Sequence, residues 1–461
     1  MANIKFGTDG WRAIVGKDFN EENVSIVTNS IGKYIKDNFE EKSILIGYDP
    51  RNKAKEFATL SAEILKNAGF NVLLSNCVIP TPVLAFGAKH HDMCAIMFTA
   101  SHNPPEYLGM KFIPNYAGPA TSEITDALTI NLGFCLDKEE KGKIELYDFK
   151  PEYFKHLESL INFEKIKNLK SKIIFDGLYS ATINYFDKIL DNYNIPYSSL
   201  HMKHDINFGG GMPEPKPKFL KELIETIKKD KNSAGFANDG DGDRFGVINE
   251  NGEYVTPNEI LAILLLYLKD YRNLQGCLVK TVAGSFMLDK IAENFGIEVV
   301  ETPVGFKHVG EAMRKFNPII GGEESGGLSI QGHIPEKDGI LANLLILEAM
   351  AVKNMTLVEL QNELKNLLGV EFLNDRIDLK LENQDQVKTA LNKLDNIEKI
   401  SVYDIIDKNK KDGIKLYLKD KKSWILLRAS GTEPLLRIYF ETENQEKMNS
   451  LQENVLKLIK E

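Results

Sequence analysis

The sequence predicts an α/β protein built from several domains, and three observations lead to this prediction. The chain has 461 residues, which is too long for a single domain, because a domain with one hydrophobic core holds roughly 100–200 residues. Hydrophobic residues make up 43% of it and charged residues 27%, as in a typical folded globular protein. Three segments also repeat the order apolar strand, tight turn and amphipathic helix, which is the pattern of a parallel α/β sheet.

The three repeats begin at SILIGYDPR, SKIIFDGLYS and GCLVKTVAGS. In each repeat a second apolar strand runs directly into a polar loop, in the segments MCAIMFTASHNP, SAGFANDGDGD and NPIIGGEESGG. Ligands of open α/β sheets bind beyond the carboxyl ends of the strands, so we expect these three loops to occupy equivalent places and to converge on one ligand. The alternative is chance similarity among common strand-turn-helix units.

The pattern changes after Asn354. A helical stretch, MTLVELQNELKNLL, precedes the alternating segments IKLYLKD, SWILLRAS and LLRIYFE, which predict a smaller α+β domain. The polar stretches DKEEKGK and LENQDQ are interpreted as exposed connectors. We place the domains at residues 1–145, 146–252, 253–368 and 369–461.

Composition also excludes several classes of protein. The formal net charge of -9 argues against a general nucleic-acid binder, which needs a clustered basic surface. The N-terminus has no targeting pattern, and the longest apolar run, ILAILLLYL, is too short to span a bilayer. The cysteines have neither metal-site spacing nor the density of a disulfide scaffold, and we expect reduced thiols in a cytoplasmic protein. These cysteines are Cys77, Cys94, Cys135 and Cys277.

The segment FANDGDGDRFG places Asp239, Asp241 and Asp243 at alternate positions, separated by glycines that permit a tightly curved backbone. Three carboxylates facing one point repel one another unless a hard cation lies between them, and Mg²⁺ suits a site that shares its coordination with a phosphate. Arg244 follows and is suited to clamp that phosphate with two parallel hydrogen bonds. A solvated acidic turn or a calcium loop is the alternative, although the later bidentate Glu of an EF-hand is missing.

The segment MFTASHNPPEYLGMKF places Ser101 at the end of an apolar strand, followed by His102 and a loop stiffened by two prolines. A fixed, exposed nucleophile fits this position. A serine in an isolated Ser-His-Asn segment is more often a helix cap or turn residue, and it is the presence of the Asp loop in the same chain that favours the nucleophile.

Two further loops offer ligand-binding groups. In IIGGEESGG, Glu323 and Ser325 lie among glycines and provide an acceptor and a donor for neighbouring sugar hydroxyls, or form an ordinary polar loop. In RASGTEPLLR, hydroxyls, backbone amides and a guanidinium are able to surround a phosphate, unless the hydroxyls only cap a turn. The residues of this second loop are Arg428, Ser430, Gly431 and Thr432. Arg12 and Lys111 add positive charge, although either type is usually a surface residue.

Together these loops resemble the α-D-phosphohexomutase superfamily, which includes phosphoglucomutases, phosphomannomutases and phosphoglucosamine mutases. FGTDGWR, TASHNPPEY, DGDGDR, GGEESGG and RASGTEP stand in the order of that family's opening, phosphoserine, metal, sugar and phosphate loops. The resemblance implies four domains around one central cleft, the first three with a similar mixed α/β sheet and the last α+β. It also implies a hexose phosphate as the small-molecule partner of a monomer or homodimer.

The resemblance implies a mechanism as well. Ser101 carries a phosphoryl group, and an oxygen of that phosphoserine joins the three aspartates around Mg²⁺. The group passes to a sugar monophosphate to give a bound bisphosphate, such as glucose 1,6-bisphosphate, which turns over and returns its other phosphate to Ser101. Lys111 is the implied general base, with a pKa lowered by neighbouring cations. Arg12 stabilises the transferring group, His102 holds the phosphoserine, and the loop from Arg428 to Thr432 grips the other phosphate.

The resemblance to phosphoglucomutases in particular favours glucose over mannose. GGEESGG and GHIPEKDG are similar to the corresponding segments of those enzymes, which implies substrate contacts by His333 and Lys337. TPVGFKH resembles their sugar-contact loop and adds Gly305 and Lys307. Leu108 departs from the usual Asn, and Ala429 departs from the Pro of phosphoglucosamine mutases, which rank third. A phosphatase or bisphosphate synthase, and a noncatalytic sugar-phosphate-binding protein, are the hypotheses from other classes.

Overall fold

Four β sheets follow one another along the chain in the computed structural model, which describes residues 4–7, 10–139, 142–430 and 433–460. The first three sheets are mixed and carry helices, and the fourth is antiparallel with two helices. The predicted fold class, with three similar α/β domains and a different C-terminal domain, is confirmed. The domain limits themselves stay a prediction.

The first sheet has six strands and four helices. The strands are β1 (Trp11–Ile14), β2 (Ser43–Tyr48), β3 (Asn71–Ser75), β4 (Cys94–Phe98), β5 (Tyr107–Ile113) and β6 (Lys143–Tyr147), and the helices are α1 (Glu21–Asn38), α2 (Ala54–Asn67), α3 (Thr81–His90) and α4 (Ser122–Ile130). The order is β1-β5-β4-β2-β3-β6, with β2, β3, β4 and β6 parallel and β5 antiparallel to β4. Two helices, α5 (Lys150–Leu160) and α6 (Phe163–Ile166), lead to the second sheet.

The second sheet contains β7 (Lys172–Asp176), α7 (Phe186–Asn192), β8 (Tyr197–Leu200), α8 (Lys221–Lys229), β9 (Ser233–Asn238), β10 (Phe245–Ile248) and β11 (Tyr254–Val255). The third region contains α9 (Pro257–Asp270), β12 (Leu278–Thr281), α10 (Phe286–Phe295), β13 (Val299–Thr302), α11 (Phe306–Phe316), β14 (Ile320–Gly322), β15 (Leu328–Ile330), α12 (Gly339–Lys353) and α13 (Leu357–Leu368). The orders of these sheets are β11-β10-β9-β7-β8 and β13-β12-β14-β15.

One unit recurs in all three mixed sheets. A first strand pairs in parallel with a later one, and the later strand turns back into an antiparallel neighbour: β2, β4 and β5, then β7, β9 and β10, then β12, β14 and β15. The turns between the second and third members hold the Ser101 loop, the Asp loop and the Glu323 loop. The prediction that these loops occupy equivalent places is therefore confirmed.

The fourth sheet is antiparallel throughout, in the order β16-β21-β20-β19-β18-β17. It is built from β16 (Leu373–Lys380), α14 (Gln384–Asp395), β17 (Lys399–Ile400), β18 (Tyr403–Asn409), β19 (Ile414–Leu418), β20 (Trp424–Ala429), β21 (Leu435–Thr442) and α15 (Gln445–Lys460). The interpretation of LENQDQ as a connector is wrong in its second half, because Asn383 caps α14 by accepting a hydrogen bond from the Gln386 amide.

The hydrophobic core separates the fourth sheet from the first three. One large apolar cluster runs from the first sheet through the second into the third, and it includes α12, whose first twelve residues are all buried. The fourth sheet and its helices have a separate core.

Among the described residues no single helix is long and apolar enough to cross a bilayer. Helices α12 and α13 have that length and composition only when taken together, and they are bent by 80° at the break between them.

Candidate functional site

The Asp loop joins β9 to β10 and buries three carboxylates together. Asp239, Asp241 and Asp243 are each at most 1% exposed, and one ligand atom from each lies within 4.8 Å of the others. Gly242 has φ +77°, the left-handed region that favours glycine, and it lets the loop fold back on itself. The Thr81 hydroxyl donates to Asp241 Oδ2 at 2.6 Å, which fixes that carboxylate from the first sheet.

The chemistry of this cluster fits a divalent cation. Burial raises the pKa of Asp239 well above its ordinary value, and the charges of Asp241 and Asp243 raise it further. A bound cation would offset the carboxylate repulsion that adds to this shift, and three carboxylate oxygens match the preference of Mg²⁺ for hard ligands. Lys337 Nζ lies 3.1 Å from Asp243 Oδ2 and supplies part of the compensating charge.

Ser101 lies directly against this cluster, although it comes from a different sheet. Its hydroxyl donates to Asp239 Oδ2 at 2.8 Å, and Ser101 Oγ also lies 3.2 Å from His102 Nδ1. Ser101 is 2% exposed and has φ +51°, a conformation that non-glycine residues rarely adopt. Gly240 makes the approach possible, because a Cβ atom there would lie 2.5 Å from the Ser101 carbonyl oxygen.

The strained Ser101 loop is held by two residues that the sequence analysis did not identify, Asp49 and Arg51. The Arg51 guanidinium donates to the carbonyl oxygens of Ser101 and Asn103 at 2.6 and 2.7 Å, and its Nε lies 3.2 Å from Asp49 Oδ2. Asp49 in turn accepts from the Thr99 hydroxyl at 2.7 Å. Burial raises the pKa of Asp49 to about 6, although the Arg51 charge opposes this shift. Both residues lie in the segment YDPR, directly after β2.

Lys111 and Lys337 meet at a fourth buried carboxylate, that of Glu336, next to the Asp loop. Lys111 Nζ lies 2.9 Å from Glu336 Oε2 and 3.9 Å from Asp243 Oδ2. Lys337 Nζ lies 3.7 Å from Glu336 Oε1. Glu336 is fully buried and was missed in the sequence, although it stands inside the segment GHIPEKDG. Lys337 also packs against the Glu323 loop, because a Cβ atom on Gly327 would lie 2.4 Å from Lys337 Cδ.

The Glu323 loop is closed on itself. The Glu323 amide donates to the Gly327 carbonyl at 2.9 Å, and the Ser325 hydroxyl lies 3.5 Å from Glu323 Oε2. Glu323 Oε1 accepts from the Gly305 amide at 3.0 Å, so the two predicted sugar-contact segments lie side by side. The loop also contacts the Asp loop, because the Phe245 amide donates to the Gly326 carbonyl at 3.1 Å.

Two other predicted contact residues face different neighbours. Lys307 Nζ donates to the Ser122 hydroxyl at 2.9 Å and so bridges the third region to α4 of the first. His333 is 8% exposed, and its ring nitrogens lie 2.9 Å from Asp338 Oδ2 and from His156 Nε2 on α5. The substrate contacts expected of these two residues stay predictions.

Two more predicted residues lie near the loops already described. Arg12, on β1, donates from its guanidinium to Asn103 Oδ1 in the Ser101 loop at 3.1 Å. The Arg244 amide donates to Asp239 Oδ1 at 3.0 Å, and its carbonyl accepts from the Asn238 amide group at 3.0 Å. Both basic residues thus belong to segments that surround Ser101 and Asp239.

The predicted phosphate loop follows β20 of the fourth sheet. Arg428 forms an ion pair with Asp412, with distances from Oδ2 of 2.9 Å to Nε and 2.8 Å to the guanidinium Nη2 atom. Ser430 is 9% exposed, and its amide donates to the Leu435 carbonyl at 2.8 Å. The other two predicted residues of this loop, Gly431 and Thr432, lie outside the described residues.

Comparison with known families assigns the chain along most of its length. Models of phosphoglucomutase/phosphomannomutase α/β/α domains I, II and III match residues 3–132, 151–252 and 256–367, and a model of the C-terminal domain of the same family matches residues 379–458. The four matches follow the four sheets in their order along the chain.

Individual relatives agree with this assignment. The chain is 30% identical to a phosphoglucomutase/phosphomannomutase of Thermococcus kodakarensis, over 99% of this chain and 98% of the relative. It is 28% identical to a phosphoglucosamine mutase of Methanocaldococcus jannaschii, over 91% and 92% of the two chains. A crystal structure from Thermus thermophilus, provisionally assigned as a phosphomannomutase, superposes with a TM-score of 0.88 at 30% identity and full coverage of both chains. The chain therefore belongs to the phosphoglucomutase/phosphomannomutase family of the α-D-phosphohexomutase superfamily, whose members are mutases.

Proposed function

We propose that this mutase interconverts hexose 1-phosphates and hexose 6-phosphates through a phosphorylated Ser101, with a glucose phosphate as its main substrate. One observation carries the proposal: the Ser101 hydroxyl, from the first sheet, lies 2.8 Å from Asp239 in a buried group of three carboxylates from the second. A hydroxyl in that position is next to the site where a cation would neutralise a phosphoryl group.

Phosphoryl transfer depends mainly on positioning and on stabilising charge. Asp239, Asp241 and Asp243 would hold Mg²⁺, together with the phosphate on Ser101. The cation supplies charge neutralisation to the phosphoryl oxygens when it is bound. Arg12 and Arg244, from segments on either side of Ser101, act as the cationic clamp on the same group.

Lys111 is the proposed proton acceptor. As the bond from the phosphorus to Ser101 Oγ breaks and the bond to the sugar oxygen forms, the hydroxyl proton passes to the Lys111 amine. Glu336, 2.9 Å away, holds that amine next to Asp243 of the Asp loop. Ser101 Oγ leaves as an alkoxide, and in the return transfer it attacks the other phosphate of the bisphosphate. Lys111 then gives its proton to the sugar oxygen that leaves, so the proton balances over one cycle.

The remaining loops would bind the end of the sugar phosphate that does not react. Arg428 and Ser430, with Gly431 and Thr432 of the same loop, grip the second phosphate, while Glu323 and Ser325 bind hydroxyls. Remote binding of this kind orients the reacting hydroxyl. Glucose 1,6-bisphosphate is then both the intermediate and the activator that phosphorylates Ser101 at the start.

The similarity of GGEESGG and GHIPEKDG to phosphoglucomutases supports glucose as the sugar. A second candidate is glucosamine, because the chain covers more than nine-tenths of a phosphoglucosamine mutase from Methanocaldococcus jannaschii at 28% identity. Mannose is the third, since the Thermococcus kodakarensis relative is described as a phosphoglucomutase/phosphomannomutase.

Initial rates on glucose, mannose and glucosamine 1-phosphates, each with Mg²⁺ and a trace of the matching bisphosphate, test the proposal. We expect the highest kcat/KM on glucose 1-phosphate and loss of activity in EDTA that Mg²⁺ restores. A higher kcat/KM on glucosamine 1-phosphate would replace glucose by the second candidate. Inorganic phosphate released in proportion to substrate consumed would contradict a mutase and favour a phosphatase.

A further inference from the structure

The hairpin tip between β18 and β19, residues 409–413, reaches from the fourth sheet onto the third. Asn409 donates from its side-chain amide to Glu301 Oε1 at 2.8 Å, and Lys411 Nζ donates to the Glu301 carbonyl at 2.7 Å. Glu301 lies on β13, whose next residues lead into the loop that contains Gly305. The hairpin tip is thus fixed beside a predicted sugar-contact segment.

The same tip also packs against β20, the strand that carries Arg428. Gly413 permits this close approach, because it has φ +83° and a Cβ atom there would lie 2.1 Å from the Leu427 carbonyl oxygen. As a consequence the preceding residue, Asp412, presents its carboxylate to the Arg428 guanidinium, with the two distances of 2.8 and 2.9 Å given above.

Asp412 makes a second connection through the same oxygen atom. Its Oδ2 accepts from the Val304 backbone amide at 2.8 Å. The next amide, that of Gly305, donates to Glu323 Oε1 at 3.0 Å. A continuous set of hydrogen bonds therefore runs from the guanidinium proposed to bind phosphate, through Asp412 and the backbone at 304–305, to the carboxylate proposed to bind sugar.

We propose that Asp412 is a positioning residue, which fixes Arg428 at the distance from Glu323 that lets one substrate bind to both residues, its phosphate to Arg428 and its sugar hydroxyls to Glu323. The inference rests on the proposed function, because it needs both residues to bind one substrate. A carboxylate in ion-pair contact with two guanidinium nitrogens fixes the plane of that group, which a neutral acceptor does less well. Since Arg428 and Glu323 belong to different sheets, no local element keeps them in register.

The competing explanation is that Asp412 only stabilises the contact between the third and fourth sheets. The two explanations differ in whether the effect of losing Asp412 depends on Arg428. If Asp412 acts by placing Arg428, its loss has no further effect on substrate binding once Arg428 is gone. If it only joins the sheets, its loss has the same effect in both backgrounds. A double-mutant cycle separates these cases.

The experiment compares wild type, Asp412→Asn, Arg428→Ala and the double variant by kinetics on glucose 1-phosphate and by calorimetric binding of the same ligand. We expect Asp412→Asn to lower kcat/KM about 10–100-fold, mostly through KM, because hydrogen bonds to charged groups have strengths in that range. In the Arg428→Ala background we expect the same substitution to change kcat/KM less than twofold.

Asp420→Asn is the matched control. Asp420 lies in the next hairpin of the same sheet, accepts from the Lys422 and Ser423 amides at 2.7 and 2.8 Å and pairs with Lys447, so it resembles Asp412 in chemistry but not in place. It should leave kcat/KM unchanged. Equal losses in the two Arg428 backgrounds, an unchanged Asp412→Asn variant, or an equal effect of Asp420→Asn would overturn the inference.

The readouts also separate this inference from the proposed function. A wild-type protein that binds glucose 1-phosphate without converting it contradicts the proposed function, and the cycle is then scored on Kd with the same expected pattern. A wild-type protein that binds no hexose phosphate overturns both.

Discussion

The two ends of the proposed substrate site differ in how deeply they are buried. At the reacting end, Ser101, Lys111, Lys337 and the three aspartates are each at most 4% exposed. At the far end, the side chains of Arg428 and Asp412 are 15% and 24% exposed. The reacting end is assembled by contacts between the first three regions, which share one apolar cluster, and the far end by a fourth sheet with a core of its own.

This difference suits the two tasks of a mutase. Charges exert their largest effect in a dry surrounding, so burial belongs where charge moves during transfer. A more exposed phosphate-binding site binds more weakly, and in the proposed mechanism the bisphosphate leaves this site and turns over before the second transfer. We therefore expect changes at the reacting end to lower kcat and changes at the far end to raise KM.

The largest effect is expected from Arg51→Met, which removes the cation that holds the Ser101 loop. Breaking a buried ion pair destabilises a protein by about 3–5 kcal/mol, and here the loss falls on the backbone that carries Ser101. We expect kcat to fall about 10²–10³-fold in steady-state kinetics, with little change in KM.

Arg272→Met provides the control, because Arg272, just after α9, also pairs with a buried carboxylate, that of Glu348 on α12. It should lower the thermal midpoint and leave kcat within twofold. An equal fall of kcat in both variants would mean that Arg51 acts only on overall stability.

Gly240→Ala tests the contact between the Ser101 loop and the Asp loop. The new Cβ would lie 2.5 Å from the Ser101 carbonyl, so one of the two loops must move. A displacement of about 1 Å at a reacting centre is enough to lower kcat up to about 10²-fold. Gly211→Ala in the same region meets no atom closer than 3.7 Å and should be neutral. Equal rates for the two variants would contradict the close approach of the loops.

Arg428→Lys tests the far end. Lysine keeps the charge but lacks the planar fork that binds a phosphate through two parallel hydrogen bonds. We expect KM for the hexose phosphate to rise about tenfold while kcat falls less than threefold. A variant with lowered kcat and unchanged KM would show that the two ends do not divide the work as proposed. Arg272→Lys, the same exchange outside the site, should change neither constant.

The smallest effect is a pH dependence at the interface between the third region and the fourth sheet. Lys415 is buried there, with its Nζ 2.7 Å from the Val282 carbonyl and 4.1 Å from the centre of the Trp424 ring. Burial, and then the charge of Lys280, lowers the pKa of Lys415 to about 7. Between pH 7 and its ordinary pKa of 10.5 the unfolded chain holds a proton that the folded chain lacks, so stability rises with pH.

Through Lys415, the free energy of unfolding of the wild type should rise by at most about 1.4 kcal/mol per pH unit above pH 7 and should not change below pH 7. Lys415→Met should lack this rise. Thermal midpoints measured at pH 7, 8 and 9 give the slopes. Lys422→Met removes a lysine from the same sheet whose side chain is 45% exposed, and it should keep the wild-type slope. Identical slopes for Lys415→Met and wild type would contradict a neutral buried amine.

Much of the fold and part of the site are predictable because their signals are local. Apolar strands followed by polar loops give the three repeated units, and the spacing of Asp239, Asp241 and Asp243 gives their convergence. The sequence context of Ser101 alone is typical of a turn, and its proximity to that cluster was predictable only from the equivalent places of the loops in the three repeats.

The residues that were missed act through distant partners. Arg51 looks like a surface residue of a turn, but it holds backbone carbonyls about fifty positions later. Glu336 stands beside a predicted residue, and only the fold places it against Lys111. The substrate contact that its motif suggests for His333 stays a prediction, and the fold places its two ring nitrogens against Asp338 and His156. Such long-range pairings leave no periodic or spacing signal in one sequence.

The most direct test of the account is to follow the phosphoryl group itself. Enzyme labelled with ³²P by the bisphosphate is mixed with unlabelled glucose 6-phosphate and Mg²⁺, quenched within one turnover and separated into protein, sugar and inorganic phosphate. We predict that the label lies on Ser101, moves to glucose 1,6-bisphosphate, and is never taken up by the Ser101→Ala variant. Label on a different residue, or label released directly as inorganic phosphate, would contradict the account.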